Sequence, residues 1–248
     1  MKNTAIIIPS RLGAKRFPNK PLARINNVPM IVHVMNRARE SCAGYVFVAT
    51  PDNEIFKVVK ENGGEAVLTE TNHSTGSDRV YEVFIKKLKN KVDLIINLQG
   101  DMPNIRPESI SELEKLMRSN ECDIGTLAST LEENEFEDKN IVKAHVSKKL
   151  EKNSFFEAKD FFREKKIYNK TEKIYHHIGI YAFTSIALTK YVKLKRSKLE
   201  IERNLEQMRA IENNMLVKVG FSESTPLGVD TEADLKKIIQ KMKKQNND

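Results

Sequence analysis

The sequence predicts an α/β fold: a mostly parallel sheet covered on both faces by helices, with a β-rich lobe inserted in the second half. Two observations carry this. Short apolar runs alternate with helical patterns through the first half of the chain. Those runs are unbroken rather than alternating apolar with polar, as in strands buried on both faces of a parallel sheet. The composition agrees: of 248 residues, 40% are hydrophobic and 31% charged, which suits a folded domain.

The elements follow in order. "TAIIIP" is a strand and "PMIVHVMNRARES" a helix, with Pro29 suited to its first turn. "YVFVAT" is the second strand. "DNEIFKVVKENGG" is a helix with Asp52 or Asn53 as its cap and Gly63–Gly64 as its stop. "EAVLT" is a third strand, "GSDRVYEVFIKKLKN" a helix and "VDLIINLQGD" a buried fourth strand. "PESISELEKLMRSN" is a helix starting after Pro107, and "DIGTLAST" closes the set. In the second half, "NIVKAHVSKK" alternates like a half-exposed strand, while "NSFFEAKDFFREKK" fits strand or helix. "KIYHHIGIYAF" is strand-like, "SKLEIERNLEQMRAIENN" one helix, "MLVKVGF" a last strand and "TEADLKKIIQKMKK" a closing helix. The simplest organisation is a single domain over 1–248. Its first half covers about 1–130, the inserted lobe about 140–220, and a C-terminal helix 231–245.

Composition excludes several classes. No stretch approaches the ~20 apolar residues of a membrane span, and "MKNTAIIIPSR" lacks the long apolar region of a signal peptide. A cytoplasmic protein with no membrane partner is expected. Cys42 and Cys122 have no metal-ligand spacing and read as buried reduced thiols. The net charge of +8 allows nucleic acid or small polyanions as partners. The lysines are dispersed rather than clustered with aromatics, so no nucleic-acid partner is expected.

In open parallel sheets, ligands gather at the carboxyl ends of the strands. That directs attention to "PSRLGAKRFPNKPL", "HSTGSDR" and "QGDMP". The first carries Arg11, Lys15, Arg16 and Lys20 but one glycine, Gly13. It is neither of the common glycine-rich phosphate loops. Its cations can converge on a triphosphate if the loop curls; otherwise it is an exposed basic loop. Asn19 tolerates the left-handed conformation there. Asp101 follows a buried strand across Gly100 and suits Mg²⁺, which takes oxygen ligands; the plainer reading is a chain reversal. In "PLGVDTEADL", Thr231 and Asp234 form a capping pattern, which leaves Asp230 free either to complete a metal site or to face solvent. "HSTGSDR" presents helix N-terminal N–H groups to anions or base edges, with Thr75 or Ser77 as cap. Strand alternation puts His176 and His177 on opposite faces.

Together and in this order, "AIIIPSRLGAKRFPNKPL", "HSTGSDRVYEV", "IINLQGDMP", "HHIGIYAF", "LEQMRAIEN" and "GVDTEADL" resemble the cytidylyltransferases that activate 3-deoxy-D-manno-octulosonate (Kdo), the CMP-Kdo synthetase family. The resemblance implies a Rossmann-like nucleotide-diphospho-sugar transferase fold, a homodimer, and condensation of CTP with Kdo to CMP-Kdo and pyrophosphate with Mg²⁺, for lipopolysaccharide or capsule synthesis. It makes Arg11, Arg16 and Lys20 triphosphate-binding cations, within a nucleotide site of Pro9, Ser10, Thr75, Gly76, Ser77 and Arg79. It makes Asp101 and Asp230 the metal-binding pair, catalytic with Lys20 and Arg16. Gln99, His177, Glu206 and Gln207 match sugar-site positions. Three features depart from the family pattern. Met102 replaces a glutamate, Asn19 a glycine, and "FFEAKDFFRE" (155–164) stands where the family has F-S-R-A-x-I-P. The last change leaves open an amino-Kdo or another 3-deoxy-2-keto sugar acid as acceptor. A non-enzymatic nucleotide- or RNA-binding protein on this fold is the remaining alternative.

Overall fold

The computed structural model describes residues 3–13, 16–164 and 173–245; Lys15 lies outside them. The chain forms two compact units, 1–111 with 226–248, and 112–225.

The first unit begins with strand β1 (Thr4–Pro9), whose Ala5, Ile6, Ile7 and Ile8 are fully buried. Each such isoleucine contributes about 1.5–3 kcal/mol relative to exposure. A short 3-10 turn (Lys20–Leu22) leads to the small hairpin β2 (Arg24–Ile25) and β3 (Val28–Pro29). Helix α1 (Met30–Glu40) follows, with Pro29 as its N-cap rather than inside its first turn. Next come β4 (Tyr45–Thr50), α2 (Asn53–Glu61), β5 (Ala66–Leu68) and α3 (Gly76–Val83). The single helix expected through residue 90 changes at Phe84 into a π-helical turn, Phe84–Leu88, with Phe84 and Leu88 buried. Strand β6 (Leu94–Leu98) is wholly buried. Within this unit the strands run β5-β4-β1-β6, all parallel, so the ends of β1, β4 and β6 open at one edge.

Helix α4 (Pro107–Ser119) contains the division between the units. The second unit holds β7 (Ile124–Ser129), β8 (Lys143–Val146), β9 (Phe155–Phe162) and β10 (Ile174–Thr184). Helices α5 (Ser185–Tyr191), α6 (Lys198–Arg203) and α7 (Gln207–Glu212) precede β11 (Val217–Phe221). The aromatic-rich segment that fitted two readings is thus a strand. Its strands run β10-β7-β11-β9-β8, and β8 pairs with β10 as well, closing a cycle of pairings. The helix expected over 197–214 is two helices. Asn204 adopts a left-handed conformation (φ 52°) that ends α6, and Leu205 turns inward between them. Asparagine is among the few residues that reach this conformation readily, so the break is local in origin.

The chain then returns to the first unit with α8 (Glu232–Gln245). Val229, Ile238 and Met242 bury against Ile25 and Met30, with Phe17 packed on the cluster. This apolar contact brings the returning segment beside the loop that follows β1.

Candidate active site at the strand ends of the first unit

The loop after β1 is fixed by its own backbone and by one carboxylate. Ser10 donates its N–H to the Ala49 carbonyl at 2.9 Å, and Asn19 donates to Leu12 at 3.2 Å. Asp52 stands at the N-cap position of α2 without capping it. Its Oδ2 instead accepts the Leu12 N–H at 2.8 Å. Asn19 takes the left-handed conformation (φ 56°) and delivers Lys20 into its 3-10 turn. Gly100 lies close under β1: a Cβ there would stand 3.1 Å from the Pro9 carbonyl oxygen, so a larger residue would press on the base of the loop.

Lys20 lies between two carboxylates. Its Nζ donates to Asp101 Oδ2 at 3.0 Å and to Asp230 Oδ1 at 3.2 Å, and Arg16 Nη2 meets Asp230 Oδ2 at 2.9 Å. Burial alone would lower the Lys20 pKa; Asp101 and then Asp230 outweigh it and raise it. The ammonium therefore stays charged at neutral pH. Asp101 is placed by the end of β6. Asp230 is placed by the returning chain, where Val229 N–H donates to the Asp101 carbonyl at 2.9 Å and Leu227 N–H to Asn104 Oδ1 at 2.9 Å. Thr231 and Asp234 cap α8 reciprocally, which leaves the Asp230 carboxylate to face the loop. Replacing Thr231 by alanine is expected to lower stability by about 1 kcal/mol, read from urea midpoints.

Two carboxylates from different elements converge on one cation, and both supply hard oxygen donors. That set fits Mg²⁺, which keeps several waters and uses one or two carboxylates together with phosphate oxygens. No group of three or more His, Cys, Asp or Glu is gathered among the described residues, so phosphate and water would have to supply the other ligands.

At the start of α3, Thr75 and Asp78 form a capping box. Ser77 is buried and accepts from Asn97 Nδ2 at 3.5 Å. Arg79 is buried and holds the segment after β5, donating to Thr69 Oγ1 and to the Glu70 carbonyl. Its pKa is lowered by burial and next by nearby Arg11. The Ser10 hydroxyl is buried with no hydrogen-bond partner among the described residues. Just past the end of β6, Gln99 Nε2 donates to Asn97 Oδ1 at 3.0 Å.

In the second unit, His177 is 7% exposed. Its ring packs edge-on against Phe161 and beside Tyr181, and its Nε2 lies 2.9 Å from Thr126 Oγ1. Tyr181 Oη donates to Gln207 Oε1 at 3.0 Å, while Gln207 Nε2 is buried without a partner among the described residues. Glu206, at the N-cap of α7, accepts the Tyr191 hydroxyl on its carbonyl at 2.8 Å.

A family model described as cytidylyltransferase matches residues 5–219. The 3-deoxy-manno-octulosonate cytidylyltransferase of Bartonella tribocorum is 42% identical over 235 residues, covering 94% of this chain and 96% of that protein. The enzyme of the same description from Brucella ovis is 43% identical over 234 residues, with coverages of 94% and 92%. The chain belongs to the 3-deoxy-manno-octulosonate cytidylyltransferase family. A solved CMP:2-keto-3-deoxy-manno-octonic acid synthetase complexed with CTP superposes at a TM-score of 0.89 with 33% identity, covering 98% of this chain and 99% of the other. A UTP-bound UGPase from Acinetobacter baumannii, 11% identical at a TM-score of 0.70 and with coverages of 98% and 93%, shares the fold.

Against the cytidylyltransferase pattern, the departures have physical outlets. Asn19 takes the left-handed conformation where a glycine is usual. Met102 is buried at 5% exposure, an apolar use of a position where the family has glutamate. The 155–164 segment is ordered by pairing of β9 with β8 and β11, and Arg203 holds Asp160. Sequence reasoning read Asp52 only as a helix cap and missed Thr126 and Tyr181. Alternation along "HHIGIYAF" could have paired Tyr181 with His177 on one face. Nothing local marks Thr126 inside an apolar strand.

Proposed function

We propose that this chain joins CTP and 3-deoxy-D-manno-octulosonate to give CMP-Kdo and pyrophosphate. The observation that carries the site is Lys20 held between Asp101 and Asp230 at the ends of β1 and β6; family membership supplies the reaction class.

The anomeric hydroxyl of the sugar acid attacks the α-phosphorus of CTP and pyrophosphate leaves in line. Such transfers need positioning and charge stabilisation more than covalent help from protein groups. Asp101 and Asp230 would hold Mg²⁺, which when bound offsets phosphate charge and lowers the pKa of a hydroxyl it contacts. Lys20, kept cationic by its carboxylates, offsets charge on the α-phosphate. Arg16 and Arg11 do so on the departing pyrophosphate. The buried Ser10 hydroxyl and the N–H groups at the start of α3 supply further hydrogen bonds to the nucleotide. On the sugar side, Gln207 offers a buried amide donor and His177 a neutral ring. The reading extends to a homodimer in the cytoplasm, which light scattering tests for the first part, and to a supply role in lipopolysaccharide or capsule synthesis.

The test is pyrophosphate release from CTP across a panel of 3-deoxy-2-keto sugar acids, Kdo and its amino analogue included. Kdo is expected to give the highest kcat/KM. Silence with Kdo but turnover of another member would reassign the acceptor, as the altered 155–164 segment allows. Binding of CTP with no pyrophosphate release from any of them would favour a nucleotide-binding role.

A further inference from the structure

Thr126 sits in the middle of β7 with its side chain fully buried, opposite an irregularity in β10. The register of these two strands runs regularly from His176 to Ile178, then shifts so that Tyr181 pairs with Thr126. Such bulges re-aim side chains and carbonyls, commonly beside functional sites. Here the shift turns two carbonyls toward one hydroxyl. Thr126 Oγ1 lies 2.7 Å from the Ile180 oxygen and 3.2 Å from the Ile178 oxygen, with His177 Nε2 at 2.9 Å.

The inventory of donors resolves the cluster. A threonine hydroxyl has one hydrogen and two lone pairs, and a carbonyl oxygen only accepts. If the hydroxyl gave its hydrogen to His177, both buried carbonyls would face lone pairs alone. The hydrogen therefore goes to Ile180, the shorter contact, and His177 Nε2 must donate to Thr126. Burial first, then His176 and Arg163, push the His177 pKa down to about 3, so the ring is neutral and carries one N–H. With that N–H at Nε2, Nδ1 is a lone-pair acceptor. Among the described residues, the hydrogen-bond partner of the ring is Thr126, at Nε2. The other ring nitrogen of a histidine commonly sets the tautomer in this way.

We propose that Thr126 is a positioning residue that locks His177 in its Nε2–H tautomer, so that Nδ1 accepts a hydrogen bond from a hydroxyl of the acceptor substrate. Tyr181 acts in parallel on the donor side: its hydroxyl donates to Gln207 Oε1 and leaves the amide Nε2 as the free end. A sugar hydroxyl donates as well as accepts, and His177 and Gln207 offer one group of each kind. The pair reads hydroxyls, and an acceptor bearing an ammonium at the same carbon could donate to Nδ1 but could not accept from Gln207.

The kinetic part of this proposal rests on the sugar-side reading of His177; the structural part does not. Two-bond ¹H–¹⁵N correlation spectra of the ligand-free full chain, with His177 assigned by its loss in His177→Gln, report the tautomer directly. The wild type is expected to show a pyrrole-type Nε2 and a pyridine-type Nδ1; the reverse pattern, or a mixture, overturns the proposal whatever the enzyme turns over. Thr126→Val keeps the volume and removes the hydroxyl. It is expected to lose the single tautomer and to raise KM for the sugar acid about tenfold, the worth of one well-placed hydrogen bond, with KM for CTP unchanged. Thr126→Ser is expected to restore both readouts. A Thr126→Val protein that keeps the Nε2–H tautomer and the wild-type KM overturns it. So does one in which the two substrates' KM values rise together with no rescue by serine. If Thr126→Val does not fold, the wild-type spectrum and the serine variant still decide.

Discussion

Asp101→Asn and Asp230→Asn are each expected to lower kcat for pyrophosphate release by about a hundredfold or more, the usual consequence of removing one preorganised charge from a reacting centre. Asparagine keeps the size and one carbonyl oxygen of each side chain but takes away the negative charge. In the first variant Lys20 retains Asp230 alone; in the second it retains Asp101 alone and Arg16 loses its partner. Either change weakens the pair that fits a divalent cation. Stability should change little. The Asp101 and Asp230 side chains are 32% and 47% exposed, and ion pairs in that setting contribute about 0–1 kcal/mol. A loss of kcat with a nearly unchanged urea midpoint is therefore the expected signature. Near-normal turnover in either variant would remove the two-aspartate site. The Lys20 contribution has a definite sign as well. Its pKa is raised in the fold, so its ion-pair stabilisation is present below the ordinary lysine value and is lost only as pH rises through the raised one. The variants should thus converge with the wild type in stability at strongly alkaline pH.

What could be read from the sequence divides by range. Unbroken apolar runs marked the four parallel strands of the first unit, and ligand placement at strand ends pointed to the loop after β1 and to Asp101. Capping is a local matter, so Thr231 with Asp234 was legible. It also implied that Asp230 had another direction to face. The reason Asp230 meets Lys20, however, is the packing of Val229 and Ile238 on Ile25 and Met30. No pattern along the chain encodes that contact. Asp52 carried the signature of a helix cap and instead holds the Leu12 N–H, because a carboxylate at a strand end can serve a neighbouring loop as readily as its own helix. The second unit was less legible for the same reason. Thr126 and His177 are 51 residues apart, and Tyr181 and Gln207 26 apart; the bulge that brings Thr126 to the carbonyls has no glycine-independent signal in "HHIGIYAF". The split of α6 from α7 was available in principle from Asn204, yet the strong helical pattern on either side concealed it.

Arg209→Met is expected to destabilise the chain by about 3–5 kcal/mol, the range for breaking a buried ion pair by removing one partner. Glu200 is fully buried, and Arg209 meets it twice: Nε to Oε2 at 2.8 Å and Nη2 to Oε1 at 2.6 Å. Two parallel bonds of this kind are the strong form of a carboxylate contact. Arg209 also lies over the Tyr191 ring, 4.6 Å from its centre. After the substitution, Glu200 keeps, among the described residues, the half-exposed Arg196 and the Ser197 N–H. Replacing both partners by apolar residues, as in Glu200→Leu with Arg209→Met, should recover most of the loss, because the main penalty is an unpaired buried charge rather than a missing attraction. Acid titration checks the same point. Burial would raise the Glu200 pKa, but hydrogen bonds from Arg209 and then Arg196 outweigh it and lower it. The pair's stabilisation is therefore present above the ordinary carboxylate range and lost as pH falls through the depressed value. The gap between wild type and Arg209→Met in urea midpoint should be full at neutral pH and close in strong acid; a gap independent of pH would assign the loss to packing on Tyr191 instead. The pair joins α6 to α7 two residues after Gln207. A surviving Arg209→Lys variant, which keeps the charge but not the two-pronged geometry, is accordingly expected to raise KM for the sugar acid while leaving KM for CTP as it was.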